Sequence, residues 1–216
     1  MTKPSFSTVI LDVDSTITGI EGIDWLARRK GDVVARRVAS LTEDAMRGLI
    51  PLEQVYGVRL AAIRPRRDDV DALSRAYVEA LAPECLESLT ALRRAGVQIV
   101  LVSGGLRHAL FRLALHLGVD PADLHAVDIR FDALGAYAGF DDSSPLTTSK
   151  GKRTLIEELA VSRPSIVVGD GVTDLATRDV VDSFACFTGF VTREGVASKA
   201  DVVVESFPQL TQMILA

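Results

Sequence analysis

The segment Val9-Ile10-Leu11-Asp12-Val13-Asp14-Ser15-Thr16 restricts the fold more than any other part of the chain. Its apolar, partly β-branched start reads as a strand buried on both faces, as in a parallel sheet covered by helices. The run ends abruptly in two carboxylates one residue apart, followed by two hydroxyls. A buried strand carries charge only where it leaves the sheet, and in an open α/β sheet ligands sit at the carboxyl ends of the strands. Residues i and i+2 of an extended chain point the same way, so Asp12 and Asp14 can face one cavity while the carbonyl of Val13 stays available. Two hard oxygens and a carbonyl suit a magnesium ion. Taken alone, these residues could equally form an acidic turn that caps the next helix.

A chain of 216 residues is long enough for a sizeable core in one or two domains. Lysine and arginine number 24 against 29 acids, a net charge of −5, which disfavours a nucleic-acid partner. A small anionic substrate remains compatible, because local positive groups overrule a weak global field. There is no charged leader with an apolar stretch behind it, and no apolar run approaches the ~18 residues of a membrane span, so a soluble, cytoplasmic protein is expected. Cys85 and Cys186 have no CxxC or histidine spacing and read as reduced core residues.

After Thr16 the usual crossover to a second strand does not arrive. From Gly19 to about Leu81 the pattern is helical, with boundaries at Pro51 and at Arg64-Pro65. Such an insertion opens at the carboxyl end of the first strand and can close over the acid pair as a lid. Regular α/β alternation starts at Pro83. Val97 to Val102 reads as a second buried strand ending in Ser103-Gly104-Gly105, and Leu106, Ala109, Leu110, Leu113, Ala114 and Leu117 mark a helix that follows directly. A strand and small hairpin are expected over 125–141 and a helix over 150–159. Ser165 to Val168 reads as a third buried strand, ending in Gly169-Asp170-Gly171-Val172-Thr173-Asp174. Strands over 183–187 and 201–204 and a short helix complete the fold.

Three buried strands thus end in polar residues, and in a parallel sheet those ends share one edge. Ser103, with the amides of Gly104 and Gly105 at a helix amino end, would make an anion cradle; a plain N-cap is the simpler alternative. Lys150 stands at a predicted helix start, where the helix dipole disfavours a cation, so a phosphate group is one reason for its presence. Lys152 reads as a solvated surface lysine. Asp170 can complete a metal shell and Asp174 can orient the lysine from behind it.

In this order, Asp-Val-Asp-Ser-Thr, Ser-Gly-Gly, Lys150 and Gly-Asp-Gly-Val-Thr-Asp resemble the haloacid dehalogenase-like phosphatases. Glu21-Gly22-Ile23-Asp24, Arg59-Leu60-Ala61 and Tyr137-Ala138-Gly139-Phe140-Asp141 extend the resemblance, from about Phe6 to Ala185, to a branch that acts on a phosphorylated amino acid. The resemblance implies an α/β fold: a doubly wound, mostly parallel, Rossmann-like sheet with a helical-bundle cap inserted after the first strand. Residues 1–15 and 83–216 would form the catalytic core and 16–82 the cap. The implied reaction is Mg2+-dependent hydrolysis of a small phosphate ester, O-phospho-L-serine, through an aspartyl phosphate. Asp12 would be the nucleophile and Asp14 the general acid/base. Asp12, the Val13 carbonyl and Asp170 would hold the metal, with the Asp14 side chain a weak ligand or none. Ser103, Gly104, Lys150 and Thr173 would bind phosphate oxygens. Glu21 would meet the substrate ammonium and Arg59 its carboxylate, beside Met46 and Leu52. No nucleic acid or membrane is implied, and the chain would be a monomer or homodimer.

Two residues depart from the family pattern: Leu52 stands where phenylalanine is common, and Arg47 follows Met46 where a small residue is usual. Both could alter the pocket entrance, which keeps a phosphatase for another small phosphate ester as the alternative. A receiver-type phosphoacceptor domain shares the sheet and the aspartate chemistry, but it carries its acids as adjacent residues and has no such helical insertion.

Overall fold

Thr8–Leu11 form β1, and all four residues are buried. In the computed structural model, which describes residues 4–216, β1 pairs in parallel with β2 (Gln98–Leu106) on one side and β6 (Ser165–Gly169) on the other. With β3 (Leu124–Val127), β7 (Ser183–Phe187) and β8 (Val202–Val204) the sheet has six strands in the order β3-β2-β1-β6-β7-β8, every neighbour parallel. The chain fills one side of β1 and then the other. That reversal opens a crevice beyond the carboxyl ends of β1, β2 and β6. A separate antiparallel pair, β4 (Ile129–Phe131) and β5 (Tyr137–Phe140), forms the expected hairpin.

Between β1 and the second strand lie α1 (Gly22–Arg28), α2 (Asp32–Met46), α3 (Leu52–Ile63) and α4 (Arg67–Glu79). Pro51 immediately precedes α3, and Arg64, in left-handed backbone with φ 45°, ends it before Pro65. The four helices bury Leu26, Val38, Tyr56, Leu60, Leu73 and Tyr77 among themselves and against the core. Each such side chain contributes roughly 1.5–3 kcal/mol on leaving water, enough to make the insertion a packed unit rather than a loose loop. It is fixed to the rest of the chain by particular contacts. The Tyr56 hydroxyl donates to the Gly104 carbonyl at 2.8 Å and the Leu52 amide to Ser149 Oγ at 2.8 Å. The hairpin supports it from below, with Phe140 against Tyr56 at 5.3 Å between ring centres and Arg67 over the Phe131 ring at 4.8 Å.

The remaining helices are α5 (Cys85–Arg94), α6 (Arg107–Leu117), α7 (Gly151–Leu159), the short α8 (Val172–Leu175) and α9 (Glu194–Ala197), and α10 (Phe207–Leu215). One expected boundary shifts. Leu106 belongs to β2, pairing with Val127, and α6 starts at Arg107 rather than directly after Ser103. Leu106 fits the helical period because it is buried as the N-cap of α6, one residue outside the helix. Cys85 and Cys186 are free and buried, and burial pushes the Cys85 thiol up to about 12. No helix among the described residues is long and apolar enough to cross a membrane.

Candidate active site

The crevice floor is built around Asp12, the first residue beyond β1, whose amide still donates to Val168 at 3.0 Å and so keeps the register of the sheet. The ammonium of Lys152 lies 2.7 Å from Asp12 Oδ1 and 2.6 Å from Asp174 Oδ1, and both carboxylates are nearly enclosed. Asp174 Oδ2 accepts the Gly171 amide at 3.0 Å. Close approach requires glycine at 169, where a Cβ would sit 2.2 Å from Asp174 Cγ. Burial disfavours the Lys152 charge, but Asp12 and Asp174 outweigh it and hold the ammonium above its ordinary range. Burial and the Asp12 charge raise Asp174 to about 6.

Lys152, not Lys150, is therefore the lysine of this pocket. Lys150 is the exposed N-cap of α7. The dipole argument applies to both residues, and facing decides between them: two positions on a helix differ by about 200° in direction. The turn is set by Gly151, whose Cβ would overlap the Pro145 carbonyl at 1.6 Å.

Asp14 points into the same crevice but is held by different groups. Its Oδ1 accepts the Tyr77 hydroxyl at 2.7 Å and its Oδ2 the Gly22 amide at 3.2 Å. Burial, reinforced by Glu21, pushes its carboxyl well above the ordinary range. The Val13 carbonyl does not serve as expected. It accepts the amides of Thr16 at 3.3 Å and of Ile17 and Thr18 at 3.0 Å each, so its lone pairs are engaged by the backbone of the loop that follows β1.

Ser103, Gly104 and Thr173 line the pocket beside Asp12. The cradle differs from the expectation, because the Gly105 amide donates to Ser103 Oγ at 2.9 Å and α6 begins beyond it. The helix dipole therefore does not start at Ser103.

The roof comes from the insertion. Glu21 Oε1 accepts the Ser15 hydroxyl at 2.7 Å, and burial raises its carboxyl to about 6. Arg59 is buried at 4% exposure with its guanidinium 5.5 Å from the Tyr56 ring centre. One guanidinium nitrogen donates to Thr42 Oγ1 at 2.9 Å, and that hydroxyl donates to Asp24 at 2.6 Å. Arg59 Nε is buried without a hydrogen-bond partner among the described residues, within a pocket that Glu21, Met46 and Leu52 also line. Arg47 does not join them: it is exposed and pairs with Glu43 at 3.1 Å.

Carboxylate oxygens of Asp12, Asp170 and Asp174 lie within 4.8 Å of one another. A hard divalent cation fits such a donor set. The Asp14 carboxylate is outside this group. The guanidinium of Arg193 closes on Asp170 Oδ2 and lies 3.9 Å from Glu21. Arg193 stands in the loop between β7 and α9, where no periodicity or motif singles it out. Tyr77 was equally hidden, since its place on the apolar face of α4 reads as core.

This arrangement of sheet, insertion and convergent acids has close counterparts. The sequence model for haloacid dehalogenase-like hydrolases matches residues 6–177, and the chain belongs to that family. Among curated proteins it is 35% identical over 209 residues to phosphoserine phosphatase of Rattus norvegicus, covering 95% of this chain and 92% of that one. It is 33% identical over 211 residues to the chloroplastic phosphoserine phosphatase of Arabidopsis thaliana, at 95% and 71% coverage. The fold is shared with a solved phosphoserine phosphohydrolase-like protein from Francisella tularensis, with a TM-score of 0.88 at 23% identity over 96% of this chain and 99% of that one.

Proposed function

We propose that the chain hydrolyses O-phospho-L-serine to L-serine and phosphate. The observation that carries this reading is the opposition of two sets of groups across one pocket. The floor offers Asp12, Lys152, Ser103 and Asp170, which suit a phosphate ester, while the roof offers Glu21 and Arg59, which suit an ammonium and a carboxylate. Such a floor serves almost any phosphate monoester, so selection falls to the roof. The likeness to curated phosphoserine phosphatases supports the same substrate.

In this reading Asp12 attacks phosphorus and becomes the aspartyl phosphate, which water then cleaves. Asp14 protonates the departing seryl oxygen and afterwards takes a proton from the water; its enclosure favours the protonated form that the first step needs. Lys152, Ser103, Gly104 and Thr173 hold the phosphate oxygens, with Lys152 taking the place expected of Lys150. Asp174 aligns Lys152. Asp12 and Asp170 would hold Mg2+, whose charge lessens the repulsion between the Asp12 carboxylate and the phosphate dianion. Residues 16–82 form the lid over a catalytic core of 1–15 and 83–216, and the setting taken is a cytoplasmic monomer or homodimer. Phosphate release should be measured from O-phospho-L-serine, phosphoethanolamine and a sugar phosphate, with and without magnesium. Preference for either of the latter two would overturn the substrate and favour another small-ester phosphatase.

A further inference from the structure

We propose that Tyr77 is a positioning residue for Asp14, fixing its carboxyl group so that Oδ2 is the oxygen that gives up and regains the catalytic proton. The proposal rests on the reading of Asp14 as general acid/base given above.

Tyr77 is fully buried, and its ring shares the apolar face of α4 with Val70 and Leu73. A core tyrosine that only fills space needs some acceptor for its hydroxyl. Here the acceptor is the carboxylate beside the nucleophile, at 2.7 Å. The backbone makes room for the contact: a Cβ at Gly22 would lie 1.9 Å from the Tyr77 oxygen, so the phenol reaches Asp14 only because residue 22 has no side chain. The same Gly22 donates its amide to the other carboxylate oxygen, at the longer distance of 3.2 Å.

The two contacts are unequal, and the inequality assigns the proton. A neutral carboxyl group carries one proton, and the oxygen already receiving a short phenolic hydrogen bond is the poorer place for it. Oδ2, with the longer contact, is left to carry it. As the ester bond breaks, its electron pair stays on the seryl oxygen, which takes the proton from Oδ2 while an Asp12 oxygen bonds to phosphorus. In the second step a water oxygen bonds to phosphorus, its proton passes to Oδ2, and the phosphorus–Asp12 bond breaks with its electron pair returning to the carboxylate. The phenol gives up no proton in either step.

Tyr77→Phe keeps the ring and removes the oxygen. Its kcat/KM should fall by about tenfold or more on O-phospho-L-serine, part of the roughly 10²- to 10⁴-fold that general acid–base catalysis supplies. On p-nitrophenyl phosphate, whose leaving group needs little protonation, the change should stay under about threefold. Equal losses on both substrates would make Tyr77 a packing residue and overturn the proposal, as would no loss on either. Asp14→Asn on the same pair separates the two readings. If that variant shows no leaving-group dependence, the acid assignment itself fails; if it does and Tyr77→Phe does not, only the positioning role fails. Should Tyr77→Phe not fold, 3-fluorotyrosine at 77 fills nearly the same space with a more acidic donor. It must shift the alkyl-to-aryl rate ratio, and an unchanged ratio would overturn the proposal.

Discussion

Lys152 Nζ lies 2.7 Å from Asp12 Oδ1, so the cation nearest the reacting carboxylate is carried by the second residue of α7. Lys152→Met should lower kcat on O-phospho-L-serine by roughly 10²- to 10³-fold, the cost of losing one preorganised donor to developing charge. Lys150→Ala should stay within about twofold of the parent, since an exposed lysine adds little to the site. Steady-state kinetics on the two variants side by side would reverse the assignment if Lys150 proved the sensitive one.

Metal binding has a signature apart from turnover. Three clustered carboxylates repel one another, and a cation that binds the folded chain alone stabilises it by about 2.7 kcal/mol at a hundredfold excess over Kd. For a chain of this size that corresponds to a rise in Tm of roughly 5–11 °C on adding magnesium to chelator-treated protein. Asp170→Asn should abolish most of the rise. A Tm indifferent to magnesium in the parent would remove the metal from the site.

The roof should govern choice rather than chemistry. Arg59→Ala should cut kcat/KM for O-phospho-L-serine by at least about tenfold, the equivalent of ~1.4 kcal/mol. Phosphoethanolamine, which has no carboxylate, should be nearly unaffected by the substitution. Parallel losses on the two esters would mean that Arg59 holds α2 and α3 together through Thr42 and does not read the substrate.

Glu21 gives the selection a pH dependence. Its carboxyl is raised to about 6 by burial, so it is neutral below that value and negative above it. Only the ionised form attracts an ammonium, so preference for O-phospho-L-serine over a sugar phosphate, an alkyl ester without an ammonium, should rise as pH increases through about 6. Both are alkyl phosphate esters, which lose a proton near pH 6 and need Asp14 alike, so taking the ratio of kcat/KM values cancels those shared titrations. In Glu21→Gln the ratio should be lower and flat across the range. A persistent inflection in that variant would assign the titration elsewhere.

What the sequence disclosed depended on how many residues carried each signal. The steps from apolar to polar at Asp12, Ser103 and Asp170 could be read because an apolar run and its abrupt polar ending are both local, although β2 itself runs on to Leu106. The insertion was visible through long helical periods punctuated by Pro51 and Pro65. Directions of single groups were not. Lys150 and Lys152 differ only in which side of one helical turn they face, and the Pro145 carbonyl that sets the turn gives no local cue. The Val13 carbonyl is similarly diverted by amides three to five residues ahead, an effect of loop shape rather than residue type. Arg193 comes from a loop more than 170 residues away from the Glu21 it approaches.

Asp14 belongs to the core strand's extension, yet the two hydrogen bonds its carboxylate accepts among the described residues, from the Gly22 amide and the Tyr77 phenol, come from the insertion. Recombining parts of this chain with those of a relative would therefore not be chemically silent. A chimera that borrows another protein's segment for 16–82 inherits new surroundings for the acid together with a new roof. Substrate range is better rewritten by single replacements at Glu21 or Arg59, which leave those two donors in place.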